Sequence, residues 1–230
     1  MLIYVADDEK NIRNLIQSFL KKEGYQVESF ETGDRLYEAF AEKPADMVIL
    51  DVMMPGNSGF IICTKIRAIS KVPIIMLTAR DTDEDYISGI SLGSDDYFTK
   101  PFSPVKLIMR VKAMFRRIEM DTEAGAKPET KEMKCADVTI HPGKLTAYCN
   151  GKDLGLTGTE FNLLAYLFEN HHRAVSREEL LSSIWGYESE VESRATDDTV
   201  KRLRRKLADS KVSIDTVWGF GFRINEGDQV

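Results

Sequence analysis

The sequence predicts a parallel α/β sheet with helices on both faces, followed by a smaller α+β unit, and three observations predict it. Over the first 118 residues, short apolar runs alternate with amphipathic segments five times. Residues 119–132, "EMDTEAGAKPETKE", then lose apolar periodicity and gather charge, Gly, Ala, Pro and Thr, the composition of a linker. Beyond them come short strand-like pieces, three helical segments and a closing pair of strand-like runs. The first pattern favours parallel strands because each parallel connection needs a crossover long enough for a helix.

The elements follow in order. "LIYVA" is an apolar strand, and the segment after it spaces Ile12, Leu15, Ile16, Phe19 and Leu20 as one helical face before Gly24 ends it. "YQVESF", "DMVIL", "PIIML" and "DYFT" give the remaining strands, with helices near 33–42, 58–69, 83–92 and 104–118. In the second half, "VTIHPGKLTAYCNGKDLGLT" breaks at "HPG" and "NG" into small antiparallel hairpins. Helices are expected at 159–170, 176–185 and 194–209, and "VSIDTVWGFGFRI" supplies two strands around "WGFG". The domains therefore read as 1–118, a linker at 119–132, and 133–230.

Composition narrows the function classes. A chain of 230 residues with 43% hydrophobic residues is long enough for two ordinary domains. Its longest apolar runs are strand-sized, and acids stand in "MLIYVADDEK" where a signal peptide would be apolar, so a soluble cytoplasmic protein without a membrane partner is expected. Three widely spaced cysteines, Cys63, Cys135 and Cys149, suggest packing rather than a disulfide framework or a zinc site. A net charge of −6 argues against binding nucleic acid through bulk charge, so any such contact must come from a local patch.

Chemistry gathers at the predicted strand ends. Asp7 and Asp8 follow the first strand, Asp51 ends the third, Thr78 follows the fourth and Lys100 the fifth. Parallel strands place their C-termini along one edge, where such folds bind ligands. Three carboxylates beside one lysine repel each other unless a cation joins them, and an oxygen-only set of this size suits Mg²⁺. Asp51 then reads as a nucleophile toward phosphorus, with metal and lysine neutralising the phosphoryl charge. Each acid taken singly is as readily a helix cap or turn residue, but capping does not require the joint constellation.

The motifs "VADDEK", "LDVMMPGNSG", "MLTA" and "DDYFTKPF" resemble the receiver domain of bacterial response regulators. The resemblance implies a flavodoxin-like fold of five parallel strands in the order 2-1-3-4-5. It further implies that Asp51 accepts phosphate from a histidine kinase, that Asp8 binds Mg²⁺ directly with Asp7 assisting, and that Met53 adds its backbone carbonyl. Lys100 would pair with phosphoryl oxygens, the Lys100–Pro101 bond would be cis, and Thr78 and Tyr97 would form a switch pair. The family's dimer face would use the helix near 83–92, the fifth strand and the helix after it. Asp96 and Arg110 match a charge pair of that face, with Asp95, Arg116 and Arg117 nearby. Lys106 stands where relatives commonly carry a Glu, and Tyr86 and Ser88 lie around its partner position, so altered contacts are expected there.

In "RATDDTVKRLRRKLAD", Thr196, Val200, Leu203 and Leu207 form one helical stripe, with Arg194, Asp198, Lys201, Arg202 and Arg205 opposite. Residues 194–206 carry six basic residues against two acids, within a half (121–230) whose net charge is −4. A basic face with an apolar back suits a helix in the DNA major groove. With "LTGTEFNLLAYL", "SREELLSSIWG" and "TVWGFGF", residues 133–226 resemble the winged helix-turn-helix effector domain of the OmpR/PhoB family. That resemblance implies DNA contacts from Lys201, Arg202, Arg204 and Arg205, a phosphate contact at Thr216, and a loop "YESEVES" that faces RNA polymerase. Asp198 and Trp218 depart from the family pattern, an acid replacing an apolar residue and an aromatic replacing a minor-groove Arg. "PIIMLTARDT" and "TVWGFGF" look like the VanR subgroup, regulators of glycopeptide resistance.

The expected function is a transcriptional response regulator of a two-component system rather than a conventional enzyme. A sensor histidine kinase, promoter DNA, RNA polymerase and, on phosphorylation, a second copy of the chain are its expected partners. Two alternatives stay open. One is a constitutive DNA-binding regulator whose receiver only dimerises. The other is a Mg²⁺-dependent phosphohydrolase with an Asp nucleophile, although haloacid-dehalogenase-like enzymes carry a D-x-D pair after the first strand, and here the acids are adjacent.

Overall fold

A computed structural model of the chain describes residues 1–79, 93–124 (backbone alone for 117–124), 132–186 and 195–226. The helix expected near 83–92 with Tyr86 and Ser88, the side chain of Arg117, the "YESEVES" segment and Arg194 lie outside the described residues. Two compact units divide the chain, Met1–Val111 and Lys112–Val230. No helix among the described residues is long and apolar enough to cross a membrane.

In the first unit, β1 (Leu2–Ala6), β2 (Gln26–Phe30), β3 (Met47–Asp51), β4 (Ile74–Ala79) and β5 (Asp96–Lys100) form one sheet in the order β2-β1-β3-β4-β5. Every neighbouring pair is parallel, as the alternating pattern predicts. All five residues of β1 and of β3 are buried, which is why both read as unbroken apolar runs rather than alternating ones. Helix α1 (Lys10–Lys22) buries Ile16 and Leu20. Leu15 lies at the edge of that stripe and is 40% exposed, so the expected apolar face is narrower than its spacing suggests. Thr32 caps α2 (Gly33–Glu42) by accepting from the Arg35 amide, and α3 (Gly59–Arg67) buries Ile62, Cys63 and Ile66. The Lys100–Pro101 peptide is cis.

Helix α4 (Pro104–Ala124) begins at a proline, whose missing amide costs nothing at a helix start. It runs six residues into the expected linker. Once a helix is nucleated each added residue gains a hydrogen bond, and "EMDTEA" holds no Gly or Pro before Gly125.

Beyond α4 the second unit continues with an antiparallel meander, β6 (Met133–Cys135), β7 (Val138–His141), β8 (Thr146–Cys149) and β9 (Lys152–Asp153). Its last turn is the predicted Asn-Gly, with Asn150 and Gly151 at φ 49° and 79°. Three helices follow: α5 (Gly158–Glu169), α6 (Arg177–Leu180, continuing as a π-helical turn Leu181–Trp185) and α7 (Ala195–Lys206). Thr157 and Glu160 form a capping box at the start of α5. The chain closes with β11 (Val212–Val217) and β12 (Gly221–Glu226), an antiparallel hairpin that also pairs with the two-residue β10 (Val175–Ser176). Two residues show no periodicity, so β10 is invisible in the sequence. A Cβ on Gly221 would stand 2.0 Å from the Val175 carbonyl oxygen, and only glycine admits this approach.

One core joins α5, α6 and α7 to both sheets, with Phe161, Leu164, Leu203 and Phe222 among its members. All three cysteines are free thiols, and Cys63 and Cys135 are buried. Burial, with Glu226 adding to it, pushes the Cys135 thiol up to about 12, so it packs as an inert apolar group.

Candidate functional site

At the C-terminal edge of the parallel sheet, one carboxylate oxygen from each of Asp7, Asp8 and Asp51 lies within 4.8 Å of the others. The topology alone brings them together, since β1 and β3 are adjacent and parallel. Asp7 and Asp51 are buried while Asp8 is exposed. Lys100, at the end of β5, reaches across so that Nζ is 2.9 Å from Asp7 Oδ2 and 2.9 Å from Asp51 Oδ2. Glu9 Oε1 stands 3.6 Å from the same ammonium.

Burial raises the Asp7 carboxyl above its usual range, and the hydrogen bond from Lys100 only partly offsets this. Asp51 is raised for the same reason, with the neighbouring Asp7 charge adding to it. Burial pulls Lys100 down, but its bonds to Asp51 and Asp7 prevail and raise it, so the ammonium keeps its proton. One lysine therefore serves three carboxylates, and an all-oxygen pocket with surplus negative charge has the donor chemistry of a Mg²⁺ site. The residues present fit the ion that the sequence implies.

The backbone around these acids is tightly specified. Arg13, on the first turns of α1, folds back to donate from Nη1 to the main-chain carbonyls of Asp7 at 2.6 Å and Asp8 at 2.9 Å. The Glu9 amide donates to Asp7 Oδ1 at 2.9 Å. Asp34 on α2 accepts from the Asn57 amide at 3.2 Å and from Asn57 Nδ2 at 2.6 Å, which pins the loop between Asp51 and α3. Sequence reasoning missed Arg13 and Asp34, because a charge on an exposed helix face carries no signal of the carbonyl or amide it will meet. Met53 sits on that loop with its side chain 62% exposed, and its amide donates to Asp51 Oδ1 at 3.4 Å.

Thr78 is buried and donates to the Ala79 carbonyl at 3.2 Å. Met76 pairs with Tyr97 and Thr78 with Thr99, so Thr78 and the half-buried Tyr97 share one face of the sheet. The charges expected at the dimer face have partners within the unit. Arg67 Nη2 donates to Asp95 at 2.6 Å, the Ile74 amide donates to the same carboxylate oxygen at 3.0 Å, and Asp95 is 3% exposed. Asp96 is fully buried against Arg110, which is itself 3% exposed. Both carboxylates are consumed inside the unit because ions at the start of a buried strand need a partner. The surface of α4 presents Val105, Lys106, Met109 and Arg116.

In the second unit the expected stripe of α7 is buried, with Thr196, Val200, Leu203 and Leu207 at 4% exposure or less. Lys201, Arg204 and Arg205 are exposed, and Asp198 is half-buried. Arg202 is not on the open face. It is 6% exposed and donates through Nε to Glu160 Oε1 at 3.0 Å and through Nη2 to Thr199 Oγ1 at 3.1 Å. Lys206 completes the cluster, 2.6 Å from Glu160 Oε2. A helical wheel places position 202 at the boundary of the basic face, and the buried Glu160 draws it inward. Arg204 bridges to the hairpin, donating to the Ile214 carbonyl at 2.7 Å and to Thr216 Oγ1 at 2.8 Å. Trp218, at the hairpin tip, is 93% exposed, which excludes packing within this unit.

Comparison with known proteins finds a matching family model in each half of the chain. Residues 3–112 match the family model described as "Response regulator receiver domain", and residues 151–224 that described as "Transcriptional regulatory protein, C terminal". Over 228 residues, the chain is 41% identical to the uncharacterized transcriptional regulatory protein YclJ of Bacillus subtilis (strain 168), spanning 98% of this chain and 100% of that one. A mutant of RitR gives a TM-score of 0.76 at 25% identity, over 98% of this chain and 99% of that one. DrrB of Thermotoga maritima, an OmpR/PhoB homolog, gives 0.50 at 32% identity, over 97% and 98%. None of these three places the chain in the VanR subgroup.

Proposed function

Because the chain belongs to the OmpR/PhoB family of two-component response regulators, we propose that a sensor histidine kinase switches it by phosphorylating Asp51. It is a transcriptional response regulator with a receiver and a winged-helix DNA-binding domain, not a conventional enzyme. The observation that carries the proposal is the convergence of Asp7, Asp8 and Asp51 at the sheet edge, with Lys100 bound to Asp7 and Asp51.

In this reading an oxygen of Asp51 attacks phosphorus of the kinase's phosphohistidine. The P–N bond breaks with its electrons returning to the imidazole, and an acyl phosphate forms on Asp51. Asp7, Asp8, Asp51 and the Met53 carbonyl would hold Mg²⁺, which supplies charge neutralisation at the phosphoryl oxygens. Lys100 adds a fixed cation to the same group. Arg13 keeps the Asp7–Asp8 peptide in place, so the acids do not spread under their mutual repulsion.

The new phosphate adds charge and acceptor oxygens. Thr78 then exchanges its weak bond to the Ala79 carbonyl for a phosphoryl oxygen, Tyr97 moves into the vacated space, and the face that includes β5 and α4 favours a second copy. Val105, Lys106 and Met109 contribute to that face. Two DNA-binding domains, spanning about 133–230, then occupy promoter half-sites about one turn of DNA apart. Lys201, Arg204, Arg205 and Thr216 meet phosphates and base edges, joined by Arg194 and Asp198. RNA polymerase remains the partner that the family resemblance assigns to the "YESEVES" segment, which lies outside the described residues.

The test is incubation with a small-molecule phosphodonor and Mg²⁺, followed by intact-mass measurement. Wild type gains one phosphoryl group and Asp51→Asn gains none; no gain on wild type, or equal gain on both, would falsify the phosphoswitch and leave a constitutive DNA-binding protein. Sustained turnover of a small phosphoester would instead favour a phosphohydrolase. A separate prediction concerns the helix face. Lys201→Ala or Arg205→Ala weakens DNA binding across sequences and lowers the slope of log affinity against log salt by about 1.

A further inference from the structure

Arg177 makes more contacts than the stability of its own helix requires. It begins α6 directly after Ser176, whose side chain accepts from the Glu179 amide at 3.1 Å. A cation in the first turn of a helix opposes the helix dipole, so the position gains nothing for α6. The guanidinium instead crosses to the first turn of α7, where Nε donates to Asp197 Oδ2 at 3.0 Å and Nη2 to Oδ1 at 2.8 Å. A two-pronged pair of this kind fixes orientation as well as distance. The two side chains are 35% and 43% exposed, a setting in which an ion pair adds little to stability.

Arg177 is itself held by the closing hairpin. Ser176 pairs with Gly221 of β12, and the Arg177 amide donates to the Phe220 carbonyl at 3.2 Å. The Arg177 guanidinium lies 4.7 Å from the ring centroid of Phe222, which is 2% exposed. Arg204, further along α7, lies 5.9 Å from the same centroid and donates to the Ile214 carbonyl at 2.7 Å and to Thr216 Oγ1 at 2.8 Å. The strands β11 and β12 therefore grip α7 at two points, its first turn through Arg177 and a later turn through Arg204, both against Phe222.

We propose that Arg177 is a positioning residue for sequence recognition: by holding Asp197 against the hairpin it sets the angle at which the first turn of α7 meets the bases, without touching DNA itself. The proposal rests on reading α7 as the helix that enters the major groove. In such a helix the N-terminal residues reach the base edges, and hydrogen bonds weaken steeply as they lose alignment. A helix gripped only at Arg204 is free to swing at its start, and the swing displaces the base-reading turn furthest. Contacts with phosphates tolerate that tilt better, because they carry charge and register rather than sequence. Arg177 therefore governs which duplex is preferred more than how strongly DNA as such is held.

The experiment uses the full chain, a duplex that wild type recovers from a random-sequence pool, and a scrambled duplex of the same length and composition. In Arg177→Ala the preference for the recovered duplex over the scrambled one falls about tenfold, the scale of one good base contact. Arg177→Lys does not restore it, since a point charge lacks the planar fork. The double variant Arg177→Ala with Asp197→Asn keeps the net charge, so it loses the same tenfold through orientation alone, and its slope of log affinity against log salt stays at the wild-type value. Asp197→Asn by itself, which leaves Arg177 over Phe222, lowers the preference in the same direction and serves if Arg177→Ala unfolds. Positioning is overturned if the preference is unchanged in Arg177→Ala, if Arg177→Lys restores it, or if the double variant loses about a hundredfold, as independent residues would. It is also overturned if affinity for both duplexes falls alike and the slope drops by about 1 in the double variant, the mark of a direct phosphate contact. When the preference is unchanged but Lys201→Ala still lowers the slope, positioning fails and the DNA-binding reading stands. Recovery of no duplex at all overturns both.

Discussion

Glu160→Ala should destabilise the DNA-binding domain by about 3–5 kcal/mol, because it leaves the buried Arg202 cation without its carboxylate. Glu160 is 1% exposed and is held by Arg202, Lys206 and the Thr157 amide, while its own amide bonds back to Thr157. The loss thus combines a stranded charge with a broken capping box. Arg202→Ala costs less, since Lys206 and the Thr157 amide still serve the carboxylate. It leaves the salt slope of DNA binding unchanged under conditions where the protein is folded, which separates it from Lys201→Ala. Urea or thermal unfolding of the three variants, alongside binding isotherms, checks both statements.

The same cluster sets an acid limit. Burial pushes the Glu160 carboxyl up, but the charges of Arg202 and Lys206 outweigh it and hold the group below its ordinary value. A depressed folded value means that the stabilisation is complete above the unfolded value, near pH 4.3, and is lost as pH falls through the folded one. Glu179, lowered to about 2 chiefly by the hydrogen bond from Arg173, acts in the same direction. Melting temperatures measured from neutral pH down to about pH 3 should fall more steeply in wild type than in Glu160→Gln.

Gly59→Ala is expected to slow phosphorylation of Asp51 by about a hundredfold, the scale associated with displacing a reacting group by about 1 Å. A Cβ at this position would stand 2.0 Å from the Asp51 carbonyl oxygen and 3.0 Å from the Val52 Cα. Both neighbours are backbone, so neither rotates away, and the clash must move the strand end that carries the nucleophile. The Gly59 amide also donates to the Val52 carbonyl at 2.9 Å, which locks the approach. Stability should fall as well, by about 1–3 kcal/mol, the usual cost of overpacking. Phosphorylation rate at saturating phosphodonor, compared between folded variants, is the measurement. A rate within a factor of about two of wild type would mean that the loop yields without moving Asp51, contrary to the leverage assigned to orientation.

Both predictions turn on close contacts between segments far apart in the chain, and such contacts divide what could be read early from what could not. Strand runs, helix spacing and the Asn-Gly turn are local consequences of side-chain shape and periodicity, so the alternating architecture was visible in residues 1–118. The acidic pocket was visible too, because parallel strands bring their ends together whatever the details of packing. Asp7, Asp51 and Lys100 needed only that rule.

Arg202 and Asp95 escaped it. Their charges look like solvent-facing or partner-facing groups in a linear text, and only the folded chain shows Glu160 and Arg67 waiting in the interior. A buried ion is placed by its counter-ion, and the counter-ions of Arg202 and Asp95 lie 42 and 28 positions away. Arg13 and Asp34 were hidden for the same reason, since backbone carbonyls and amides have no residue identity to recognise. Trp218 was legible as an oddity but its exposure was not. Periodicity distinguishes inside from outside along a strand, whereas at a hairpin tip the surrounding packing alone sets which way an aromatic ring ends up.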